Sequence, residues 1–326
     1  MNHRLALWLA ASFILLAFPF RSPAPLIYRP DEGWVYEKPG ADTKWQRGRA
    51  KDQLEVAQEA FDKKNFSLAA KAAKRVVSQW PFSDFAPQAQ YLFARCREAQ
   101  GKDEIAFKQY EQLLRKFPKM TNAQEVLDRQ FTIANKFLGG QWRKLFGYIP
   151  FPPSQDTTVE MYRQIITNAP YSEVAPQAQM NIGAAREKQK NYAAAVEAYE
   201  HVADKYAERE QIAADALYKA GLAGIKETKT AEYDQNSADR AINTFVDFAA
   251  LYPNDKRVPE TEKKIKDLKT EQARGSYQLA RFYEKKKKWK AARIYYNEVV
   301  YKDPESKYAQ EARTRLVELE KRTENK

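Results

Sequence analysis

The sequence predicts an all-α solenoid of about six helical hairpins, and three observations carry that prediction. A ten-residue joint recurs: PFSDFAPQAQ at 81–90 and PYSEVAPQAQ at 170–179 are identical at seven of ten positions. Ahead of such joints, small and large residues fall at fixed spacings on a frame of about 34 residues. Glycine is scarce, 11 in 326 residues, where ordinary usage of roughly 7% would give about twice as many. So few glycines argue against an all-β fold full of tight turns and against a Gly-rich phosphate loop. The rest of the composition, 44% apolar and 30% charged, is that of a soluble chain able to bury a core. One cysteine, Cys96, and two histidines, His3 and His201, leave no means for an internal disulfide or for a Cys- or His-dominated metal site.

Residues 1–24 read as an export signal or an N-terminal anchor. Arg4 precedes an apolar run, Leu5–Phe20, of 16 residues. That is shorter than the roughly 20 a spanning helix needs and slightly long for a signal core. Ser22 and Ala24 offer a cleavage site, with Pro25 awkwardly after it. No cysteine lies near, so lipid attachment through a processed N-terminal Cys is not expected. Export decides how the charge is read. The net +12, from 55 Lys and Arg against 43 Asp and Glu, is not taken as nucleic-acid binding. Residues 25–52 read as an extended tether rich in Pro and Gly. Its Tyr28, Trp34, Tyr36 and Trp45 are more aromatic than a spacer needs, and are expected to pack on the first helices or on a partner.

From residue 53 the chain repeats. Landmarks that stop one hairpin fall at Pro81, Pro118, Pro170, Ala207, Pro253 and Pro304. Twenty-four residues before four of them stand Ala57, Ala94, Gly183 and Ala280, and twelve before stand Ala69, Ala106, Ala195 and Ala292. Small residues at both places let two helix axes approach closely. Eight before stand Ala73, Tyr110, Tyr199 and Tyr296, mostly large side chains that fill the space between helices. This is the pattern of the tetratricopeptide repeat. The third and fifth repeats carry insertions, at about 139–157 and 227–237, and Tyr308–Arg322 reads as the capping helix such an array needs.

Several stretches in order carry a family resemblance: PDEGWVYE in the tether, NFSLAAKAAKRVVSQWPFSDFAPQAQYLFARCREAQG, YEQLLRKFP, RQFTIANKFL with LFGYIPFPP, and YRQIITNAPYSEVAPQAQMNIG. Together, over about residues 28–320, the chain resembles the outer-membrane assembly lipoprotein family, the D subunit of the β-barrel assembly machinery. The resemblance implies a non-enzymatic periplasmic scaffold, associated with the outer membrane. Its partners would be a β-barrel insertase, other assembly subunits and unfolded barrel substrates. The family's lipid-bearing cysteine has no counterpart here, so attachment would pass through residues 5–20 kept as an anchor or through partners. A tetratricopeptide adaptor of another envelope process, such as cell-wall synthesis or cell division, is the alternative.

Three candidate surfaces follow. The concave face of the array, lined by the first helix of each hairpin, would carry Gln88, Tyr91, Arg95 and Glu98, then Phe131 and Asn135, then Gln177, Met180 and Glu187. Aromatic, amide and charged groups suit an extended peptide whose backbone needs partners. The third-repeat insertion carries Trp142, Phe146, Tyr148 and Phe151, which either fold back onto the convex face or offer an apolar patch. A basic run, Lys285, Lys286, Lys287, Lys288 and Lys290, falls at the turn of the last hairpin, either merely solvated or meeting anionic head groups or an acidic partner. Cys96 is expected to be a buried structural thiol and His201 a surface residue. No cofactor, metal ligand set or general acid–base pair stands out, and an enzyme is not expected.

Overall fold

The computed structural model describes residues 26–36, 44–119, 122–145, 149–152, 154–230 and 235–324. The expected export signal, 1–24, lies outside the described residues. The chain divides into two compact units between Ala123 and Gln124.

In the first unit two short strands precede four helices. Strands β1 (Leu26–Arg29) and β2 (Gly33–Tyr36) form an antiparallel ribbon. Helices α1 (Ala50–Asp62) and α2 (Phe66–Gln79) make the first hairpin, α3 (Ala86–Ala99) and α4 (Asp103–Lys116) the second. The second unit continues with α5 (Ala123–Leu138) and α6 (Gln155–Asn168), α7 (Ala175–Lys188) and α8 (Tyr192–Lys205), then α9 (Glu210–Thr230) and α10 (Gln235–Leu251). Helices α11 (Val258–Lys285) and α12 (Trp289–Lys302) make the last hairpin, closed by α13 (Lys307–Glu324). The fold is an all-α tetratricopeptide solenoid, with six hairpins and a closing helix among the described residues.

The frame works because small residues meet one large ring in every hairpin after the first, where Ala73 takes that place. Ala57, Ala69, Ala94, Ala106, Ala195, Ala280 and Ala292 are all fully buried. Tyr110, Tyr199 and Tyr296 are buried against them, and the same position holds Tyr162 and Phe245 in the inserted hairpins. Each fully buried ring of this size contributes on the order of 1.5–3 kcal/mol. The turns inside the hairpins repeat as closely. Lys64, Gly101, Gly140, Lys190 and Lys287 take left-handed φ values of 59°, 65°, 97°, 59° and 57°. Each donates its N–H to a carbonyl three residues back, and the next residue donates to one five back, as in Lys190→Glu187 (2.9 Å) and Asn191→Arg186 (3.0 Å). That closure satisfies the last carbonyls of each first helix. Asn65 and Asn191 then cap α2 and α8, accepting from Leu68 and Ala194 N–H groups at 3.2 Å. The two copies of the joint also match in detail. Ser83 and Ser172 donate their hydroxyls to the carbonyls of Trp80 and Ala169 at 3.0 and 2.8 Å, closing the turn before the next helix.

Three segments outside the regular hairpins add structure of their own. The first is the tether, which docks on the first helix. Glu32, in the turn of the ribbon and 3% exposed, accepts the Ala50 N–H at 2.9 Å and so supplies the N-terminal cap that Arg49 does not. Fully buried Gln53 holds the chain beside it, accepting from Arg47 N–H (2.9 Å) and donating to the Trp45 carbonyl (3.2 Å). Residues 37–43 of the tether lie outside the described residues. The insertion at 227–237 is mostly helix, since α9 runs to Thr230 and α10 begins at Gln235. Glu227 and Arg240 pair across these extended ends at 2.6 Å. In the insertion at about 139–157, Ser154 caps α6. It contains strands β3 (Arg143–Leu145) and β4 (Ile149–Phe151), paired antiparallel.

Candidate peptide-binding surface

The candidate side chains sit where the first helix of a hairpin meets the ring of the second. In the first unit Tyr110 donates its hydroxyl to Glu98 at 2.7 Å. Arg95 donates to the Tyr91 hydroxyl at 3.1 Å and lies over the rings of Tyr91 and Phe61. Tyr91 packs near Tyr110, ring centroids 6.1 Å apart. Half-buried Tyr91, Arg95 and Glu98 therefore form one network, with Gln88 exposed one turn earlier.

The second unit repeats the theme with amides. Tyr162 donates to Asn135 Oδ1 at 2.6 Å, and Asn181 Nδ2 donates to the same oxygen at 2.8 Å and to the Tyr162 hydroxyl at 3.2 Å. Gln177 donates to Asn181 Oδ1 at 3.2 Å, and Phe131 packs on the Tyr162 ring, centroids 6.0 Å apart. Half-exposed Phe131, Asn135 and Asn181 and exposed Gln177 thus make a continuous stripe across two first helices. One turn on, Tyr199 donates to Glu187 at 2.7 Å, and Lys226 of the next hairpin binds the other carboxylate oxygen. Burial pushes the Tyr162 and Tyr199 hydroxyls well above the usual phenol range, with Glu187 raising Tyr199 further. Both stay protonated and keep donating.

One groove residue is misplaced. Met180 is 4% exposed and belongs to the core around Tyr199 and Val202. An unbranched apolar side chain at that edge folds inward, and Asn181, the adjacent residue, takes the polar role. An amide one residue along was the signal for it. A second missed residue is Arg257, whose guanidinium grips both oxygens of Asp255 (2.9 and 2.6 Å) and Asp215 (2.7 Å). It also stacks on Tyr218 and Phe248. The Arg257 hydrogen bonds hold the Asp255 carboxyl down at about 2. This is the joint between the fifth and sixth hairpins, tied by charge.

The other candidate surfaces lie on different elements. Trp142 is 57% exposed immediately before β3, and Phe151 lies in β4; Phe146 and Tyr148 lie outside the described residues. Lys285, Lys286, Lys287, Lys288 and Lys290 are exposed where α11 turns into α12. Cys96 is fully buried, and desolvation pushes its thiol up to about 11. His201 is exposed. Among the described residues no His, Cys, Asp or Glu cluster could hold a metal ion. No described helix is long and apolar enough to cross a membrane.

Residues 157–325, just over half of the chain, match the family described as outer membrane lipoprotein, YfiO. The chain belongs to that family. The matched YfiO region holds the Tyr162–Asn181, Tyr199–Glu187 and Arg257 arrangements. Residues 88–119 also match a tetratricopeptide repeat family, so the array is of the protein-interaction type. No curated protein sequence matches the chain. Among solved structures, the C-terminal part of a repeat protein from Cytophaga hutchinsonii is 14% identical, covering 81% of this chain and 87% of its own, with a TM-score of 0.36. A tetratricopeptide protein from Parabacteroides merdae is 12% identical, covering 83% and 98%, at 0.34. MamA from Desulfovibrio magneticus RS-1 is 13% identical, covering 64% and 97%, at 0.32. Scores this low do not discriminate among helical-repeat proteins.

Proposed function

We propose that this protein is a non-enzymatic periplasmic scaffold for the assembly of β-barrel proteins into the outer membrane. It holds a barrel insertase, other assembly subunits or unfolded barrel substrates on the faces of its first helices. The observation that carries this reading is the YfiO match over residues 157–325. The geometry supports it. An unfolded barrel segment is an extended chain with unpaired N–H and C=O groups and alternating apolar side chains. The stripe Phe131–Asn135–Gln177–Asn181 offers both a half-exposed ring and amides on a firm base, the buried Tyr162 hydroxyl. Gln88, Tyr91, Arg95 and Glu98 offer the same to a second segment. Trp142 and the ribbon β3–β4, and the basic turn Lys285–Lys290, are the surfaces for neighbouring subunits.

A photo-crosslinking residue at Gln177 and another at Gln88, each in the full chain in its own cells, test this. The expected products are a barrel insertase or nascent barrel proteins at both positions, and neither at exposed Lys71. Depletion is expected to empty the outer membrane of barrel proteins. Cell-wall enzymes at Gln177 with an unchanged outer-membrane profile would sink the reading while leaving the fold intact.

A further inference from the structure

The N-terminal ribbon turns its apolar side outward. The pairing Tyr28↔Trp34 puts Leu26, Tyr28 and Trp34 on one face, and these are 59%, 59% and 70% exposed. The Tyr28 and Trp34 rings meet edge to face, centroids 5.4 Å apart. Ile27 and Arg29 take the opposite, half-buried side. The ribbon is not free to roll over. Glu32 binds the Ala50 N–H at 2.9 Å and Arg29 at 3.0 Å, and the Asp31 carbonyl accepts the Asp84 N–H at 3.0 Å. Phe82, 94% exposed, stands two residues from that last contact. A rigidly docked element that shows a Tyr–Trp pair to the outside is built to meet something there.

The chain before the ribbon points to what it meets. The apolar run Leu5–Phe20 ends five residues short of Leu26, and six peptide steps reach at most about 20 Å. With that run kept as an anchor, the aromatic face is confined close to wherever the run is held. Tyr and Trp, with an apolar body and one polar atom, prefer the level of lipid head groups. We propose that the Leu26–Tyr28–Trp34 face seats in the head-group layer of the bilayer that receives the apolar run, and so holds the first helical hairpin against the membrane surface. The proposal rests on the apolar run being kept as an anchor and is independent of what the hairpins bind.

The test uses the full chain carrying Leu26→Cys, labelled with an environment-sensitive fluorophore at neutral pH. Buried Cys96 stays unlabelled. The protein is mixed with vesicles of phosphatidylethanolamine and phosphatidylglycerol, and iodide quenching is read with and without them. Quenching at position 26 is expected to fall about threefold on vesicle binding, as for a group moved into the head-group layer. The same label at Lys71→Cys stays as open as in buffer. Adding Tyr28→Ser and Trp34→Ser, which leave Glu32 and its contacts in place, restores open quenching at position 26 while the chain remains bound. Three results overturn the proposal. They are a full chain that does not associate with the vesicles, a label as open on vesicles as off them, and shielding that appears only with added insertase or with rising protein concentration. The last would make the face a protein interface.

Discussion

In the fourth hairpin Gly183 lies under the ring of Tyr199, and in the fifth Gly221 lies under the ring of Phe245. A Cβ at either glycine would stand 2.4 Å from the ring, so both pairs of helices are drawn closer than alanine permits. Beyond the ring they differ. Tyr199 carries a hydroxyl that Glu187 accepts, and Glu187 also takes Lys226 from the following hairpin. Phe245 has no hydroxyl, and the frame places Ile225 where Glu187 stands. The fifth hairpin puts its polar lock elsewhere, at the joint where Arg257 ties Asp215 to Asp255 over Tyr218 and Phe248. Ring and glycine set the spacing, then, while polar contacts are added where neighbouring hairpins must be held in register.

If spacing is the shared element, truncating either ring should hurt alike. Tyr199→Ala and Phe245→Ala are each expected to lose about 3–5 kcal/mol, the range for emptying a buried aromatic site, read from urea midpoints. A much smaller loss at one would show that its hairpin collapses and that the comparison fails. Gly183→Ala and Gly221→Ala come next. Each sets a methyl against a buried ring, costing about 1–3 kcal/mol by overpacking, partly offset by roughly 1 kcal/mol of helix propensity. A net loss in both is expected, again from denaturation midpoints.

Exchanging the rings separates the two chemistries. Phe245→Tyr buries a hydroxyl with no carboxylate in the frame, an expected loss of about 1–3 kcal/mol. Tyr199→Phe removes one hydrogen bond but leaves Glu187 its lysine, an expected loss of about 1 kcal/mol. Equal losses would refute the assignment of Tyr199–Glu187 as a specific pair. The smallest effect belongs to the Arg257 joint. The carboxyl of Asp255, held at about 2 rather than 3.8, binds its proton more weakly folded than unfolded. Its contribution is present above pH 4 and lost as pH falls toward 2. The melting-temperature gap between the wild type and Asp255→Asn is expected to narrow over that window, and a gap flat with pH would remove the clamp from the account.

Most of the array was legible because one spacing rule governs it. Small residues at two fixed places mark the regular hairpins, and a ring at a third marks all but the first, whatever their exposed residues are. Counting eight back from Pro170 and Pro253 finds Tyr162 and Phe245 as readily as the others. The tether was less legible because its decisive contact is long-range. Glu32 caps a helix that begins 18 residues later, and no local pattern announces a carboxylate borrowed from that far. Met180 and Asn181 show the limit at the candidate site. A frame position says which side of a helix a residue is on, to within about one residue. Whether a residue at the edge turns in or out depends on its chemistry, and there methionine went inward and asparagine outward.

The tyrosine–glutamate pair also constrains the order in which such a hairpin can change. The Tyr199 hydroxyl is buried, whereas Glu187 keeps 23% of its side chain open and has Lys226 beside it. Replacing the glutamate first strands a hydroxyl that water does not reach. Replacing the tyrosine first leaves a carboxylate that solvent and lysine still satisfy. The easier path from the fourth hairpin's chemistry to the fifth's therefore runs ring first and acid second, and the reverse order passes through a hydroxyl left without its acceptor, at about 1–3 kcal/mol.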